Sequence, residues 1–288
     1  MDRPSVDNAD LCGLPFTKMS GSGNDFVFFD GRAVSAAVVT QPRAIVSICN
    51  RFNGIGADGL VVLEPRNGDA DVQIHYFNSD GSPADLCGNA TLCSTTLSAT
   101  LGLASAKGMR LTTGAGLIHS RMAETATGAL PEIDLQPVVD PQPSMPIELG
   151  AGEERAGFAT AGVPHLVVLC EDADAIELPA RGPGLRWHPS TGSSGANVNW
   201  VSPRPDGRWR YRTFERGVEG ETQACGTGAV ATAVLLAAWG YATDEMLAIR
   251  TSSGRDLQVR LSRAAHGYRP TLRGEGRIVY QGTIASLG

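Results

Sequence analysis

The sequence predicts an α+β protein made of two similar domains in tandem, each with strands around one central helix that a cysteine begins. Three observations carry that reading. The stretch Gln223-Ala-Cys225-Gly-Thr-Gly228 stands between a strand-like segment, Trp209 to Glu215, and an apolar run from Ala229 to Ala242 with no charge until Asp244. The same order precedes Cys87: an alternating strand Val72 to Tyr76, a turn signal Phe77-Asn78-Ser-Asp-Gly-Ser, then Asp85-Leu-Cys87-Gly88-Asn89-Ala90 and a helical stretch to about Leu103. The third observation is the constancy of the offset between such landmarks.

Asn24 and Val163, each before an apolar run, stand 139 residues apart, as do Gly56-Ala-Asp58 and Gly195-Ala-Asn197. Phe77-Asn78 and Phe214-Glu215 at strand ends are 137 apart, and Cys87-Gly88-Asn89-Ala90 and Cys225-Gly226-Thr227-Gly228 are 138 apart. Thr113-Gly114 with Leu117 and Ser253-Gly254 with Leu257 are 140 apart. Five landmarks in one order imply an internal duplication.

Taken in order, residues 1–15 read as a flexible extension in which Cys12 is incidental. A glycine-rich turn at Lys18 to Asp25 adjoins the β-prone run Phe26 to Asp30, and Pro42 to Asn50 has helical spacing. Gly54-Ile-Gly-Ala-Asp-Gly59 satisfies G-x-G-x-x-G, but a dinucleotide site needs a strand before it and a helix after it. Here the helical segment precedes and a short β-like run follows to Pro65, so nucleotide binding is not expected. Five prolines in residues 131–146 mark an extended crossing segment and a domain boundary. Leu166 to Cys170 reads as a strand, Arg181 to Gly195 as a Gly/Pro/Ser-rich loop, residues 249–260 as a hairpin, and Arg277 to Gln281 as a closing strand. The expected domains are 16–130, joined by 272–288, and 131–271.

The 288 residues are 42% hydrophobic and 19% charged with a net charge of −6, an ordinary composition for a globular protein whose ligand is small and polar rather than nucleic acid. The acidic N-terminus lacks the apolar region of a secretory signal, and the 14-residue run Ala229 to Ala242 is shorter than the ~20 residues a bilayer needs. Six scattered cysteines without a CxxC suit reduced thiols in the cytoplasm. No metal site is expected, since Cys93 follows Cys87 by six residues, off the facing positions.

A cysteine at a helix N-terminus meets unpaired N–H groups that favour the thiolate. A lone Cys225 would equally fit a buried cysteine packed where only a small residue has room. Its counterpart Cys87 favours the chemical reading. Duplicated domains packed about an approximate two-fold axis would set both thiols on opposite sides of a cleft. Two acid–base groups on opposite faces of one carbon are what stereoinversion by proton transfer requires. Helix N-termini at Gly88-Asn89 and Gly226-Thr227 would stabilise charge on a reacting carboxylate.

Lys18-Met-Ser-Gly-Ser-Gly-Asn-Asp-Phe-Val, Gly-Ile-Gly-Ala-Asp-Gly, Phe-Asn-Ser-Asp-Gly-Ser, Leu-Cys-Gly-Asn, Gly-Val-Pro-His, Ala-Asn-Val-Asn-Trp-Val, Glu-Arg-Gly and Ala-Cys-Gly-Thr-Gly together resemble the diaminopimelate epimerase family. The resemblance runs from about Phe16 to the end. It implies two pseudo-symmetric domains, each a β-barrel-like sheet around a central helix. It also implies a cofactor-independent (PLP-independent) isomerase that interconverts LL- and meso-diaminopimelate on the way to lysine and peptidoglycan, as a cytoplasmic homodimer. By that resemblance Cys87 and Cys225 are the catalytic pair, and His165 and Glu215 tune them. Gly88, Asn89, Gly226 and Thr227 hold the reacting carboxylate, while Asn24, Asn78, Asn197, Glu215 and Arg216 bind the substrate, a small diamino dicarboxylic acid. Without the resemblance, Asn24 and Asn78 fit turn asparagines, His165 a satisfied core histidine, and Glu215-Arg216 a solvated pair. The sequence departs from the family at Val163, where many members have Asn, and after Cys87, where Gly-Asn-Ala-Thr-Leu-Cys replaces Gly-Asn-Gly-Ala-Arg-Cys. Two alternatives stand beside the first: a racemase of another amino acid, and a redox-sensing or ligand-binding protein that pairs Cys87 with Cys225.

Overall fold

A computed structural model describes residues 8–241 and 246–287. The chain forms two compact units, one from the chain up to Ile133 together with Glu275 onward, the other from Asp134 to Gly274.

The N-terminal unit begins with β1 (Pro15–Gly21) and β2 (Asn24–Asp30), an antiparallel hairpin. Two short helices, α1 (Ala36–Val39) and α2 (Pro42–Cys49), lead to β3 (Gly59–Pro65), which runs parallel to β2. Pro42 opens α2, where its missing N–H costs nothing. β4 (Val72–Asn78) returns antiparallel to β3, and α3 (Gly88–Thr100) follows. β5 (Met109–Thr113) then pairs parallel with β4, and β6 (Gly116–Ala123) and β7 (Leu130–Asp134) continue antiparallel. The strand Arg277–Thr283, from the far end of the chain, lies antiparallel to β1.

The sheet separates two apolar layers. Val27, Phe29, Leu60 and Val62 pack against Val39, Ile45 and Ile48 of α1 and α2. The alternate residues Phe26, Phe28, Val61, Leu63 and Ile74 pack against Ala90, Cys93 and Leu97 of α3. That alternation is the period of a strand buried on both faces. α3 touches β1, β2, β3, β4, β6 and the Arg277–Thr283 strand, so the sheet wraps it on most sides in a barrel-like arrangement. A helix so enclosed would ordinarily be apolar throughout. α3 instead carries Thr91, Ser94 and Thr95, whose hydroxyls donate to the carbonyls of Cys87, Ala90 and Thr91 one turn earlier. β1 passes close to the start of this helix at Gly21, where a Cβ would lie 2.8 Å from the Asn89 carbonyl oxygen.

The C-terminal unit repeats this order. The short β8 (Val138–Val139) precedes the hairpin of β9 (Glu153–Ala161) and β10 (Val163–Cys170). α4 (Leu178–Arg186) leads to β11 (Asn197–Pro203), parallel to β10, and β12 (Trp209–Glu215) returns antiparallel. After β13 (Gly220–Thr222) comes α5 (Gly226–Ala238), then β14 (Leu247–Arg250), parallel to β12. The antiparallel β15 (Asp256–Ala264) and β16 (Gly267–Arg273) follow, and β16 pairs with β8. α5 touches β9, β10, β11, β15 and β16, as α3 touches its own sheet. Both units therefore read antiparallel, parallel, antiparallel, parallel, antiparallel, antiparallel along their main strands. The duplication inferred from spacing is a duplication of fold.

Two sequence expectations need correction. The segment from Arg181 to Gly195 is no simple loop: α4 covers its first part, with Leu178 and Leu185 in the apolar layer beside Trp200 and Phe214. Two of its glycines, Gly182 and Gly195, serve close approach. A Cβ at Gly182 would lie 2.4 Å from the Phe214 ring, and one at Gly195 would lie 2.1 Å from the Arg186 guanidinium. The N-terminal extension is also packed where it is described. Residues 1–7 lie outside the described residues; Leu11 is fully buried among Val34, Val39 and Ile284, and the Gly13 N–H donates to the Ile284 carbonyl. Cys12 beside it is exposed. Leu11→Ala is expected to lower stability by ~2–5 kcal/mol, as for other buried leucines, read as a lower urea midpoint with unchanged slope. An unchanged midpoint would mean that the first turn contributes nothing.

Candidate active site

Each central helix is capped by its cysteine in the same extended conformation, φ −130° and ψ 116° at Cys87, φ −132° and ψ 110° at Cys225. Neither side chain makes a capping hydrogen bond. In each helix the first intrahelical bond runs to the cysteine carbonyl, from Thr91 and from Ala229. The N–H groups of Gly88, Asn89 and Ala90, and of Gly226, Thr227 and Gly228, therefore have no acceptor inside their own helix. Each thiol thus stands beside three amides and the positive end of a helix dipole. Cys87 is half-buried and Cys225 is buried, and all six cysteines stand as thiols.

In the N-terminal unit a polar chain runs from the surface to the start of α3. Arg51 forks onto both oxygens of Asp25 at 3.0 and 2.8 Å and onto Asp58 Oδ1 at 2.7 Å. The buried Lys18 ammonium lies 2.7 Å from Asp25 and donates to the Gly56 carbonyl. Asn24 donates to Asp58 at 3.1 Å, which turns its own oxygen toward Asn89, whose amide donates to it at 2.5 Å. Asn89 Oδ1 is buried without a hydrogen-bond partner among the described residues. Asn78, at the end of β4, donates to Ser82 and accepts from the Tyr76 hydroxyl, so it is set apart from the Asn24–Asn89 chain by its own partners. Sequence reasoning gave Asp25 and Arg51 no role and used Asp58 only as a landmark of the duplication; the signal for the two carboxylates is an acidic residue beside each glycine-rich turn.

The C-terminal unit groups Cys225, Thr227 and His165. Thr227 Oγ1 lies 3.5 Å from Cys225 Sγ and 3.1 Å from His165 Nε2. His165 is fully buried, and burial, helped by the positive charge of Arg216, lowers its pKa to about 3. It is a neutral imidazole. Asn197, at the start of β11, accepts the Arg216 N–H at 2.7 Å and so ties Arg216 to the sheet. Glu215 accepts from the Thr222 hydroxyl at 2.6 Å. The strand ladders place Asn197 opposite His165, and Gly59, not Asp58, opposite Phe26, so the equivalence of Asp58 and Asn197 read from spacing is displaced by one residue.

The same ladders reveal where the halves differ. Phe26, Val61, Ile74 and Ala90 occupy the positions of His165, Asn199, Tyr211 and Gly228. The first set belongs to an apolar cluster under α3. The second is a buried polar network: Asn199 donates to the Leu166 carbonyl at 3.0 Å and accepts the Tyr211 and Thr213 hydroxyls, both at 2.9 Å. A Cβ at Gly228 would lie 2.1 Å from the Tyr211 hydroxyl oxygen.

Acid acts on both units in one direction. Burial would raise the Asp25 carboxyl, but the hydrogen bonds and charges of Arg51 and Lys18 outweigh it and lower the pKa from 3.8 to about 2. Its stabilisation is complete above 3.8 and is lost as pH falls through about 2. An unfolded histidine takes a proton near 6.5, whereas His165 resists to about 3, so the unfolded C-terminal unit binds more protons between those values. Stability of that unit is expected to fall as pH drops from 6.5 toward 3. All four tryptophans (187, 200, 209 and 239) lie in it, so tryptophan fluorescence in urea reports it alone. A pH-independent midpoint over that window would contradict a buried neutral His165.

Among solved structures, the chain resembles a phenazine biosynthesis protein of the PhzF family from Bacillus anthracis (TM-score 0.73, 14% identity, 94% of this chain and 98% of that one). It also resembles a hydroxyproline epimerase from Agrobacterium vitis with bound trans-4-hydroxy-L-proline (TM-score 0.66, 18% identity, 94% and 92%). The fold is that of the PhzF and proline-racemase-like proteins, with two units of mixed sheet and few helices. The diaminopimelate epimerase model matches residues 16–129 and 157–268. A diaminopimelate epimerase of Gemmatimonas aurantiaca is 64% identical over 282 residues (95% of this chain, all of the relative), and one of Aquifex aeolicus is 36% identical over 260 residues (86% and 90%). The chain belongs to the diaminopimelate epimerase family.

Proposed function

We propose that the protein is an isomerase that interconverts LL- and meso-2,6-diaminopimelate without a cofactor, with Cys87 and Cys225 as its acid–base pair. The observation that carries this reading is the pair of cysteine-capped central helices in duplicated frames, on a chain 64% identical over nearly its whole length to a diaminopimelate epimerase. One thiolate takes the α-hydrogen as a proton and becomes a thiol. The C–H electron pair passes into the carboxylate, whose growing charge is held by the N–H groups of Gly88-Asn89 and Gly226-Thr227. The other thiol delivers a proton to the opposite face and becomes a thiolate, so protons and charge balance, and the reverse reaction exchanges the roles.

Asn24, Asn78, Asn197, Glu215 and Arg216 bind the substrate in this reading. Arg216 suits a carboxylate, because its planar fork pairs bidentately. The acceptors at Asn89 and Asn24, set by Asp58, suit an ammonium. Val163, lacking an amide, leaves one fewer polar contact than members with Asn there. The neutral imidazole of His165 and the carboxylate of Glu215 tune the thiol of their own unit.

Incubation with diaminopimelate in D2O tests the reading: deuterium is expected at one α-carbon, with equilibration of the LL and meso isomers. Exchange with proline or lysine instead would reassign the substrate, and no exchange with any of them would sink the reaction. Lysine and peptidoglycan precursor supply is the corresponding role, and a cytoplasmic homodimer the corresponding state; sedimentation of the purified chain reads the assembly. Among the described residues no helix is long and apolar enough to cross a membrane.

A further inference from the structure

The polar network under α5 has a direction. Asn199 Nδ2 lies 3.0 Å from the Leu166 carbonyl and 3.3 Å from His165 Nδ1, while its Oδ1 receives the hydroxyls of Tyr211 and Thr213. A flipped amide would set its oxygen against the Leu166 carbonyl, so the side chain has one orientation. With Nδ2 as the donor, His165 Nδ1 must be the acceptor, and the proton of the neutral ring resides on Nε2. Nε2–H then donates to Thr227 Oγ1. With its oxygen engaged by the imidazole, the Thr227 hydroxyl has its hydrogen left for Cys225 Sγ, 3.5 Å away. The two hydroxyls, Asn199, His165 and Thr227 therefore form a relay that leads to the sulfur, while Asn199 Nδ2 also holds the Leu166 carbonyl and the Tyr211 hydroxyl also lies 3.4 Å from the Cys225 carbonyl.

We propose that Asn199 and Tyr211 are positioning residues that impose the Nε2–H tautomer on His165, and that the Thr227 hydroxyl oriented by it donates to Cys225 and favours its thiolate. This rests on the reading of Cys225 as an acid–base group, and it makes the two thiols unequal. Under α3 the counterparts of His165, Asn199 and Tyr211 are Phe26, Val61 and Ile74, so no imidazole and no amide stand at those positions there. The charges that act on the network are Arg216, which disfavours His165 protonation, and Glu215 and the Cys225 thiolate, which act on Tyr211. The phenol is kept protonated, first by burial and then by those negative neighbours, and so remains a donor.

The test uses the full chain without substrate, so its outcome is separate from that of the isotope exchange above. Alkylation by iodoacetamide is followed against pH at Cys225 and Cys87, each read from its own peptide by mass. Thr227→Val, which swaps the hydroxyl for a methyl of similar shape, is expected to raise the Cys225 midpoint by about one pH unit, since a hydrogen bond to a charged group is lost. Thr227→Ser keeps the donor and is expected to keep the midpoint; Tyr211→Phe is expected to raise it by less, and Cys87 to stay unmoved in all three. In ¹⁵N spectra the His165 proton is expected on Nε2. An unmoved Cys225 in Thr227→Val, an equal rise in Thr227→Ser, or a proton on Nδ1 would overturn the relay. Normal alkylation shifts without isotope exchange would sink only the epimerase reading.

Discussion

Cys225→Ala is expected to lower kcat/KM for inversion by ~10²–10⁴-fold, the range associated with loss of one general acid–base group. Cys87→Ala is expected to do the same, because inversion by the proposed mechanism uses both thiols in every turnover. The isotope pattern distinguishes chemistry from damage. A protein with one thiol left can still remove and return the α-hydrogen that meets it, so each variant should exchange deuterium into one stereoisomer without inverting it. The two variants should exchange opposite isomers. Cys→Ala removes a single sulfur at each cap, so the urea midpoint should move far less than the activity. Wild-type inversion in either variant, or exchange of the same isomer by both, would remove the two-thiol mechanism. Full activity in an oxidised protein, with Cys225→Ala also active, would favour the redox reading.

Gly228→Ala should be among the most damaging single substitutions outside the cysteines. The new methyl would lie 2.1 Å from the Tyr211 oxygen and 2.6 Å from Asn199 Oδ1, and both atoms are held by hydrogen bonds inside the unit. Overpacking alone costs ~1–3 kcal/mol. Breaking one buried hydrogen bond to make room adds ~1–3 kcal/mol. The total is therefore expected at ~2–6 kcal/mol, read by tryptophan fluorescence in urea. The mirror change Ala90→Gly, over the apolar cluster under α3, should cost only ~1 kcal/mol of helix propensity. Adding Tyr211→Phe to Gly228→Ala removes the nearest clashing atom and should recover part of the loss. A neutral Gly228→Ala would show that the network can shift aside at no cost.

Much of this was legible because it is local. The strand Trp209–Glu215, the hairpins after each central helix and the two capping cysteines all follow from period, turn residues and small residues beside a thiol. The halves could be aligned because each landmark recurs within a few residues of one spacing. What escaped depends on the third dimension. Asn199 alternates with Val198 and Trp200 along its strand, which reads as a solvent face, yet it is buried beside Tyr211. Only the strand ladders, which make Val61 and Ile74 their counterparts in the N-terminal unit, show that polar residues have replaced a core. α4 was hidden because glycine and proline argue against a helix, whereas Gly182 within it allows a close approach to Phe214. Leu11 lies in a polar segment whose partners, Val34 and Ile284, are far away in the chain.

The strand Arg277–Thr283 pairs with β1, nearly the whole length of the chain away. On the ribosome this ordering separates the two units in time. The C-terminal unit is contiguous from Asp134 to Gly274 and has all its residues once position 274 has emerged. The unit synthesised first must wait for the last residues before β1 finds its outer neighbour. A nascent chain arrested with residue 274 just outside the exit tunnel is expected to resist protease across 134–274 while remaining cleavable between 15 and 133. The half that is translated first is the half that finishes last.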